Sequence, residues 1–379
     1  MIDTRLFYNC LQEAGIDFFT GVPDSLLKSF SAWLFDTCDQ YTHVIAANEG
    51  SAVALAAGSF LATGNTSLVY LQNSGLGNTI NPVLSLADPE VYSIPMVLLI
   101  GWRGEPGVKD EPQHVKQGRV QQRLLDAMEV PTYVLSAATE DWESIVSGAV
   151  KEACARSGPV ALVVRKGTFT PYVLQRENTL DADDRMTRED ALEHIIASLH
   201  PDDLVVSTTG MTSREVFEIR ARTGAGHHRD FLTVGSMGHA SQIALGIALR
   251  APHRKVFCLD GDGATIMHMG SLAIIGQHAP ANLHHVILNN GAHDSVGGQP
   301  TAAATTSLAD VALACRYKHT GIVATENELK DAMSTLREIN GPTMTDVRVK
   351  PGARADLGRP TRTPIENRND FEINLRSTD

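Results

Sequence analysis

Two acid–amide positions sit where chemistry could be done. In the stretch LDGDGATIMHMGSLAIIGQHAPANLHHVILNNGAHDS, Gly261, Asp262 and Gly263 follow one apolar run, and Asn289 and Asn290 end the next. Asp and Asn offer hard oxygens, the ligands that a magnesium-like cation collects in an octahedron. If the two runs are neighbouring parallel strands, their ends converge on one rim, and Asp262 and Asn290 can reach a single ion although a helix separates them in sequence. Glycines beside Asp262 let backbone approach a diphosphate, and a helix opening near Ala264 presents unpaired N–H groups to its oxygens. A lone Gly-Asp-Gly also occurs in ordinary turns; the weight lies in the triplet and Asn-Asn together, each after a strand.

Other reactive residue types cluster at similar places. Glu49, in HVIAANEGSAVALAAGSFLATG, lies at the end of a strand and the start of a small-residue helix. Taken alone, that is favourable placement on a helix dipole. Gly235, Ser236, Met237, Gly238 and His239 precede a helix in TVGSMGHASQIALGIAL. A Met there is otherwise a filler of core gaps, and His239 either caps the helix or faces a bound group. Asp24 and Ser25, in FFTGVPDSLL, follow the first strand, and Asp24 is equally suited to cap a helix from Leu26. Asn73, Ser74, Gly75, Gly77 and Asn78 form a polar glycine loop able to donate N–H groups to an anion, a plain turn being the alternative. Arg103, Lys109 and His114 lie in IGWRGEPGVKDEPQH. A dianion needs charge-assisted donors and an arginine can grip it with a fork, whereas such a loop is otherwise solvated surface.

These residues need a scaffold that presents strand ends, and the pattern supplies one. Short β-branched or aromatic runs alternate with segments of helical period, which predicts crossover units on parallel sheets, an α/β class with two doubly wound domains. Strands are expected at 17–20, 43–46, 67–71, 96–100, 132–135 and 160–164, then at 204–207, 231–234, 256–259, 285–288 and 343–347. A helix is expected over 50–62. The expected organisation is a first domain over 1–170, a linker over 171–187 that ends in a Thr-x-x-Asp helix start, a second domain over 188–350, and a surface tail over 351–379.

Composition narrows the partners. A chain of 379 residues with 43% hydrophobic and 20% charged residues is globular and long enough for two cores. A net charge of -12 repels a phosphate backbone over most of the surface, which argues against nucleic acid and requires a local basic pocket for an anionic substrate. The five cysteines form no Cys-x-x-Cys pair, and the histidine pairs at 227–228 and 284–285 lack carboxylates at metal-ligand spacing, so neither a disulfide framework nor a zinc site is expected. No export signal or membrane span is visible, and a reducing cytoplasm is the expected location.

The motifs taken together resemble the thiamine diphosphate-dependent decarboxylases, in the short two-domain branch that includes phosphonopyruvate and sulfopyruvate decarboxylases. FFTGVPDSLL, LQNSGLGNTINPVLSL, IGWRGEPGVKDEPQH, TTGMTSRE, GSMGHASQIALGIAL and LNNGAHDSVGGQPT carry the resemblance through almost the entire chain. It implies a pyrimidine-binding half followed by a diphosphate-binding half, with no middle domain. It also implies thiamine diphosphate and Mg2+ as cofactors, with Asp262, Asn290 and the Ala292 carbonyl as metal ligands and Gly235 to His239 and Gly261 to Ala264 around the cofactor. Glu49 would activate the cofactor's pyrimidine so that C2 loses its proton, and Met237 would prop the cofactor in its bent shape. Asp24 and His114 would be candidate acids, and Ser25, Asn73, Ser74, Gly75, Asn78, Arg103 and Lys109 would meet the substrate. The implied reaction is decarboxylation of 3-phosphonopyruvate to phosphonoacetaldehyde through the cofactor ylide, an entry to phosphonate natural products that include antibiotics. A sulfopyruvate or other 2-oxo acid decarboxylase would keep the same cofactor residues. A non-catalytic module should have lost Glu49 or a metal ligand, and neither is missing. In relatives Glu49 and Asp262 act across a subunit boundary, so a homodimer or homotetramer is expected.

Overall fold

The computed structural model describes residues 1–175 and 185–376. The expected linker over 171–187 therefore lies partly, at 176–184, outside the described residues. The chain divides into two compact units, Met1–Glu177 with Ser295–Gln299, and Asn178–Asp294 with Pro300–Asp379.

The first unit is built on a six-stranded sheet of β1 (Phe18–Gly21), β2 (His43–Ile45), β3 (Ser67–Gln72), β4 (Met96–Gly101), β5 (Thr132–Leu135) and β6 (Pro159–Val164). The order is β2-β1-β3-β4-β6-β5 and every pairing is parallel. The central strands read as unbroken apolar runs because both their faces are covered. Leu68 and Tyr70 of β3 and Val97 and Leu99 of β4 pack into one core layer. Val69, Leu71, Met96, Leu98 and Ile100 point the other way into a second layer. With all pairings parallel, the ends of β2, β1, β3 and β4 lie side by side on one rim.

The second unit repeats this plan with β7 (Leu204–Ser207), β8 (Asp230–Leu232), β9 (Val256–Gly261), β10 (Leu283–Asn289), β11 (His319–Val323) and β12 (Thr343–Arg348). Its order is β11-β12-β10-β9-β7-β8, again parallel throughout. The helix Arg188–Ser198 that enters this unit starts on a capping box, with Thr187 Oγ1 and the Asp190 carboxylate exchanging bonds with each other's backbone N–H. β11 was not anticipated. It is an edge strand of sequence HTGIV, largely exposed, and therefore without the apolar run that marks its neighbours.

The segment over 351–379, expected as a surface tail, contains a helix, Pro364–Arg376, with Asn367 and Phe371 buried. Phe371 packs edge-on against Phe231, at 5.8 Å between ring centroids. Asn367 Oδ1 accepts from the Leu232 N–H at 3.0 Å and its Nδ2 donates to the Asp230 carbonyl at 2.8 Å, so the side chain imitates a neighbouring strand on β8. Only two buried positions in thirteen residues explain why no apolar period was visible. The five cysteines are free, and among the described residues no helix is long and apolar enough to cross a membrane.

Candidate active site

In the first unit, four strand ends present the polar residues. Glu49 follows β2 and opens the helix Glu49–Thr63, whose N-cap Asn48 accepts from the Ser51 N–H. The Glu49 side chain is buried, and its Oε2 accepts from Asn78 Nδ2 at 2.8 Å. Gly75 lies against it so closely that a Cβ there would come within 2.1 Å of Glu49 Oε1. The glycine loop after β3 thus packs on Glu49 and fixes its carboxylate, a link that spacing along the chain does not reveal.

Asp24 follows β1 and is fully buried. Its Oδ2 accepts from the N–H groups of Leu26 and Leu27 at 2.9 and 3.2 Å, and its Oδ1 from Gln72 Nε2 at 2.6 Å. Burial pushes this carboxyl above its ordinary range, against the opposing pull of those hydrogen bonds. The helix here is Lys28–Thr37, with Leu27 as an N-cap that has no side-chain cap bond, so Asp24 does not cap a helix from Leu26; it closes the turn ahead of one and carries a raised pKa. Ser74 Oγ donates to Gln72 Oε1 at 2.7 Å, extending the chain of contacts into the glycine loop.

Arg103 follows β4 and is held on three sides. Its Nε donates to Asp110 Oδ2 at 2.8 Å, its Nη2 pairs with Asp110 Oδ1, and its Nη1 donates to Ser25 Oγ at 2.8 Å. Asn73 exchanges hydrogen bonds with the Arg103 backbone, Nδ2 to the carbonyl at 2.7 Å and Oδ1 from the N–H at 3.2 Å. Asp110 also receives the Gly104 N–H at 2.8 Å. The glycine-rich stretch is accordingly tied to a fixed cation. Sequence reading missed Asp110 and Gln72, two polar residues within quoted motifs whose partners become evident only in space. His114 is buried at the start of the helix Pro112–Ala127, and Gly104 packs on its carbonyl. Burial, with Arg103 adding to it, lowers the imidazole pKa. Lys109 is exposed.

In the second unit, Asp262 follows β9 and Asn290 follows the adjacent β10, with β9 and β10 paired from Leu283–Val256 to Leu288–Gly261. Both side chains are buried. Thr301 donates its hydroxyl to Asp262 Oδ2. The Asn290 Oδ1 accepts from the Ala292 N–H at 3.1 Å, while Gly291, at φ 66°, makes the turn that glycine tolerates best. Burial pushes the Asp262 carboxyl up to about 6, and the charge of Asp346 adds to that rise. A buried carboxylate whose charge is opposed by a second one, and an amide oxygen at the end of the adjacent strand, are hard oxygens of the kind a magnesium ion takes. The Gly235–His239 turn lies against the helix Asp262–Met267, because a Cβ at Gly238 (φ 84°) would meet His268 Cδ2 at 2.6 Å and the Ala264 carbonyl at 3.0 Å. Met237 is half-buried in this turn, and Ser236, at φ 54°, is exposed. The His239 ring lies beside that of His268, 4.4 Å between centroids, with Nδ1 3.2 Å from the Ser236 and Met237 carbonyls.

His285 has a carboxylate neighbour that metal-ligand spacing along the chain does not reveal. Strand pairing sets His285 beside Cys258, and its Nε2 is 3.4 Å from Asp260 Oδ2. Donor atoms of Cys258, Asp260 and His285 lie within 4.8 Å of one another, all buried. Their polar atoms are used locally: Asp260 Oδ1 accepts the Gly261 N–H at 2.9 Å and His285 Nδ1 is 3.5 Å from the Tyr317 hydroxyl.

Residues 4–130 match the thiamine pyrophosphate enzyme N-terminal TPP binding domain, and residues 208–347 match the C-terminal TPP binding domain. The phosphonopyruvate decarboxylase of Streptomyces viridochromogenes is 37% identical over 366 residues, covering 93% of this chain and 89% of the relative. That of Streptomyces hygroscopicus is 38% identical over 367 residues, covering 93% and 88%. The sulfopyruvate decarboxylase of Methanosarcina acetivorans is 28% identical over 363 residues, covering 90% of each.

Proposed function

The chain belongs to the thiamine pyrophosphate enzymes, and from that membership we propose that it decarboxylates 3-phosphonopyruvate to phosphonoacetaldehyde and carbon dioxide in phosphonate biosynthesis. One observation carries the choice of acid: two phosphonopyruvate decarboxylases align with 93% of the chain at 37% and 38% identity, against 28% for the sulfopyruvate decarboxylase.

When bound, thiamine diphosphate supplies the carbon nucleophile and the electron sink for the departing carboxylate. The chain's own residues do the rest. Asp262, Asn290 and the Ala292 carbonyl would hold Mg2+ on the diphosphate, with Gly261, Gly263, Ala264 and the Gly235–His239 turn against the cofactor. Glu49, restrained by Asn78 and Gly75, would keep a hydrogen bond to the pyrimidine ring. Met237, half-buried in that turn, would offer the cofactor an apolar support.

Arg103 would bind the phosphonate, oriented by Asp110 and Ser25, with Lys109, Ser74 and the Asn73 turn completing the anion pocket. Asp24, whose carboxyl burial drives upward, retains a proton more readily than an exposed acid and is the candidate donor to the product carbon. His114, driven downward, would act as a neutral imidazole. We further propose a homodimer, or a dimer of dimers, in which Glu49 and Asp262 serve one cofactor from different subunits.

The test is release of carbon dioxide and aldehyde from phosphonopyruvate, sulfopyruvate and pyruvate in parallel, with and without thiamine diphosphate and Mg2+. Preference for phosphonopyruvate that requires both cofactors is the expected result; preference for another acid overturns the substrate. An active monomer in analytical ultracentrifugation overturns the shared site.

A further inference from the structure

Asn290 has both ends of its amide engaged. Nδ2 donates to Asp294 Oδ2 at 2.5 Å, and Oδ1 accepts from the Ala292 N–H at 3.1 Å. The two ends of an asparagine amide have nearly the same shape but opposite polarity, so only a partner decides which end meets a cation. A carboxylate accepts and does not donate. Asp294 therefore obliges the nitrogen to face it, which turns the oxygen away from it with one lone pair still free for a metal ion.

Asp294 is itself held by distant parts of the unit. Its Oδ2 accepts from the Gly352 N–H at 2.8 Å and lies 3.4 Å from Arg188 Nη1. Arg188 grips Glu215 with a fork, Nε to Oε2 at 2.8 Å and Nη2 to Oε1 at 3.0 Å. It also reaches the Gly352 carbonyl at 3.3 Å. Arg188 and Glu215 are 6% and 1% exposed. Burying a guanidinium between carboxylates costs desolvation that apolar packing of similar volume would avoid, so stability alone does not account for the arrangement.

We propose that Asp294, anchored by the Arg188–Glu215 pair and by Gly352, is a positioning residue that locks the Asn290 amide with its oxygen toward the magnesium ion. This rests on the assignment of Asn290 as a metal ligand. Residues behind metal ligands commonly change metal affinity by about 10- to 100-fold when replaced. Loss of Asp294 leaves Arg188 paired with Glu215, so the core retains a balanced charge pair.

The test reads cofactor binding rather than turnover: Mg2+ is titrated into protein with saturating thiamine diphosphate, and binding is followed by near-ultraviolet circular dichroism. Asp294→Ala and Asp294→Asn should each raise the half-saturating Mg2+ concentration by about tenfold or more. The double replacement Asn290→Asp with Asp294→Asn should recover most of that loss, because a carboxylate at 290 presents an oxygen to the metal whichever way it turns. Unchanged half-saturation in both single variants overturns the proposal. So does a double variant no better than Asp294→Asn, or a fall in melting temperature with no shift in the Mg2+ midpoint. Asn290→Ala run alongside separates the two assumptions, since an unchanged Mg2+ midpoint there removes Asn290 from the ligand set.

Discussion

Glu49 and Gly75 touch so closely that residue 75 cannot carry a side chain without moving the carboxylate, since a Cβ there would lie 2.1 Å from Oε1. Gly75→Ala should therefore behave as a catalytic lesion in a folded protein. Displacing a catalytic group by about an ångström costs on the order of 10²-fold. The expected result is a kcat loss of that size with an unchanged far-ultraviolet circular dichroism spectrum, alongside a Glu49→Gln variant that loses at least as much. Parent-like turnover in Gly75→Ala would mean that the loop does not fix Glu49.

Arg103 presents a planar fork already oriented by Asp110 and Ser25. Arg103→Lys keeps the charge and loses that geometry. A charge-assisted hydrogen bond contributes about 1.5–3 kcal/mol, so KM for phosphonopyruvate should rise roughly 10- to 100-fold. Turnover of pyruvate, which has no phosphonate, should change little; equal losses on both acids would remove Arg103 from the anion pocket.

Acid should weaken the fold through buried imidazoles. Burial lowers His284 from 6.5 to about 3 and His43 from 6.5 to about 4. Below the unfolded value the unfolded chain takes up protons that the folded one refuses. The contribution of these two imidazoles is therefore full above pH 6.5 and is lost as the pH drops toward those lowered values. The slope is at most about 1.4 kcal/mol per pH unit for each histidine. His284→Phe keeps a ring beside Phe257, where the centroids are 5.0 Å apart, and gives up the contact to the Thr343 hydroxyl. The urea midpoint of this variant should fall less than the parent's between about pH 7 and 5; an equal fall would exclude His284 as a source.

Removing the Asn367 side chain withdraws two hydrogen bonds from β8. Asn367→Ala leaves a buried N–H and carbonyl without those partners, each costing about 1–3 kcal/mol. Denaturant unfolding should show a loss within that range or somewhat above it, and an unchanged midpoint would mean that water replaces the amide.

Much of the scaffold was legible because buried parallel strands are apolar on both faces. The runs at 132–135 and 204–207 coincide with β5 and β7, and most other strands extend the expected range by one or two residues, as β3 does to Gln72 and β9 to Gly261. β8 is displaced toward Asp230, whose carboxylate is buried against Arg220 at 2.9 Å, a pairing that hydrophobicity does not register. Asp262 and Asn290 could be set at adjacent strand ends from their motifs alone. The contacts that orient the polar groups could not. Asp110 on Arg103, Gly75 on Glu49 and Asp294 on Asn290 depend on side-chain direction in folded loops, and their residue types are also those of ordinary turns.

β8 is the outermost strand of its sheet, and such strands can recruit a strand from another molecule. The Asn367 amide already occupies the Leu232 N–H and the Asp230 carbonyl, so intermolecular sheet extension is blocked there by a single side chain carried on the final helix. Proteolytic loss of that helix would thus do more than loosen a surface: it would turn a closed margin into a template for aggregation.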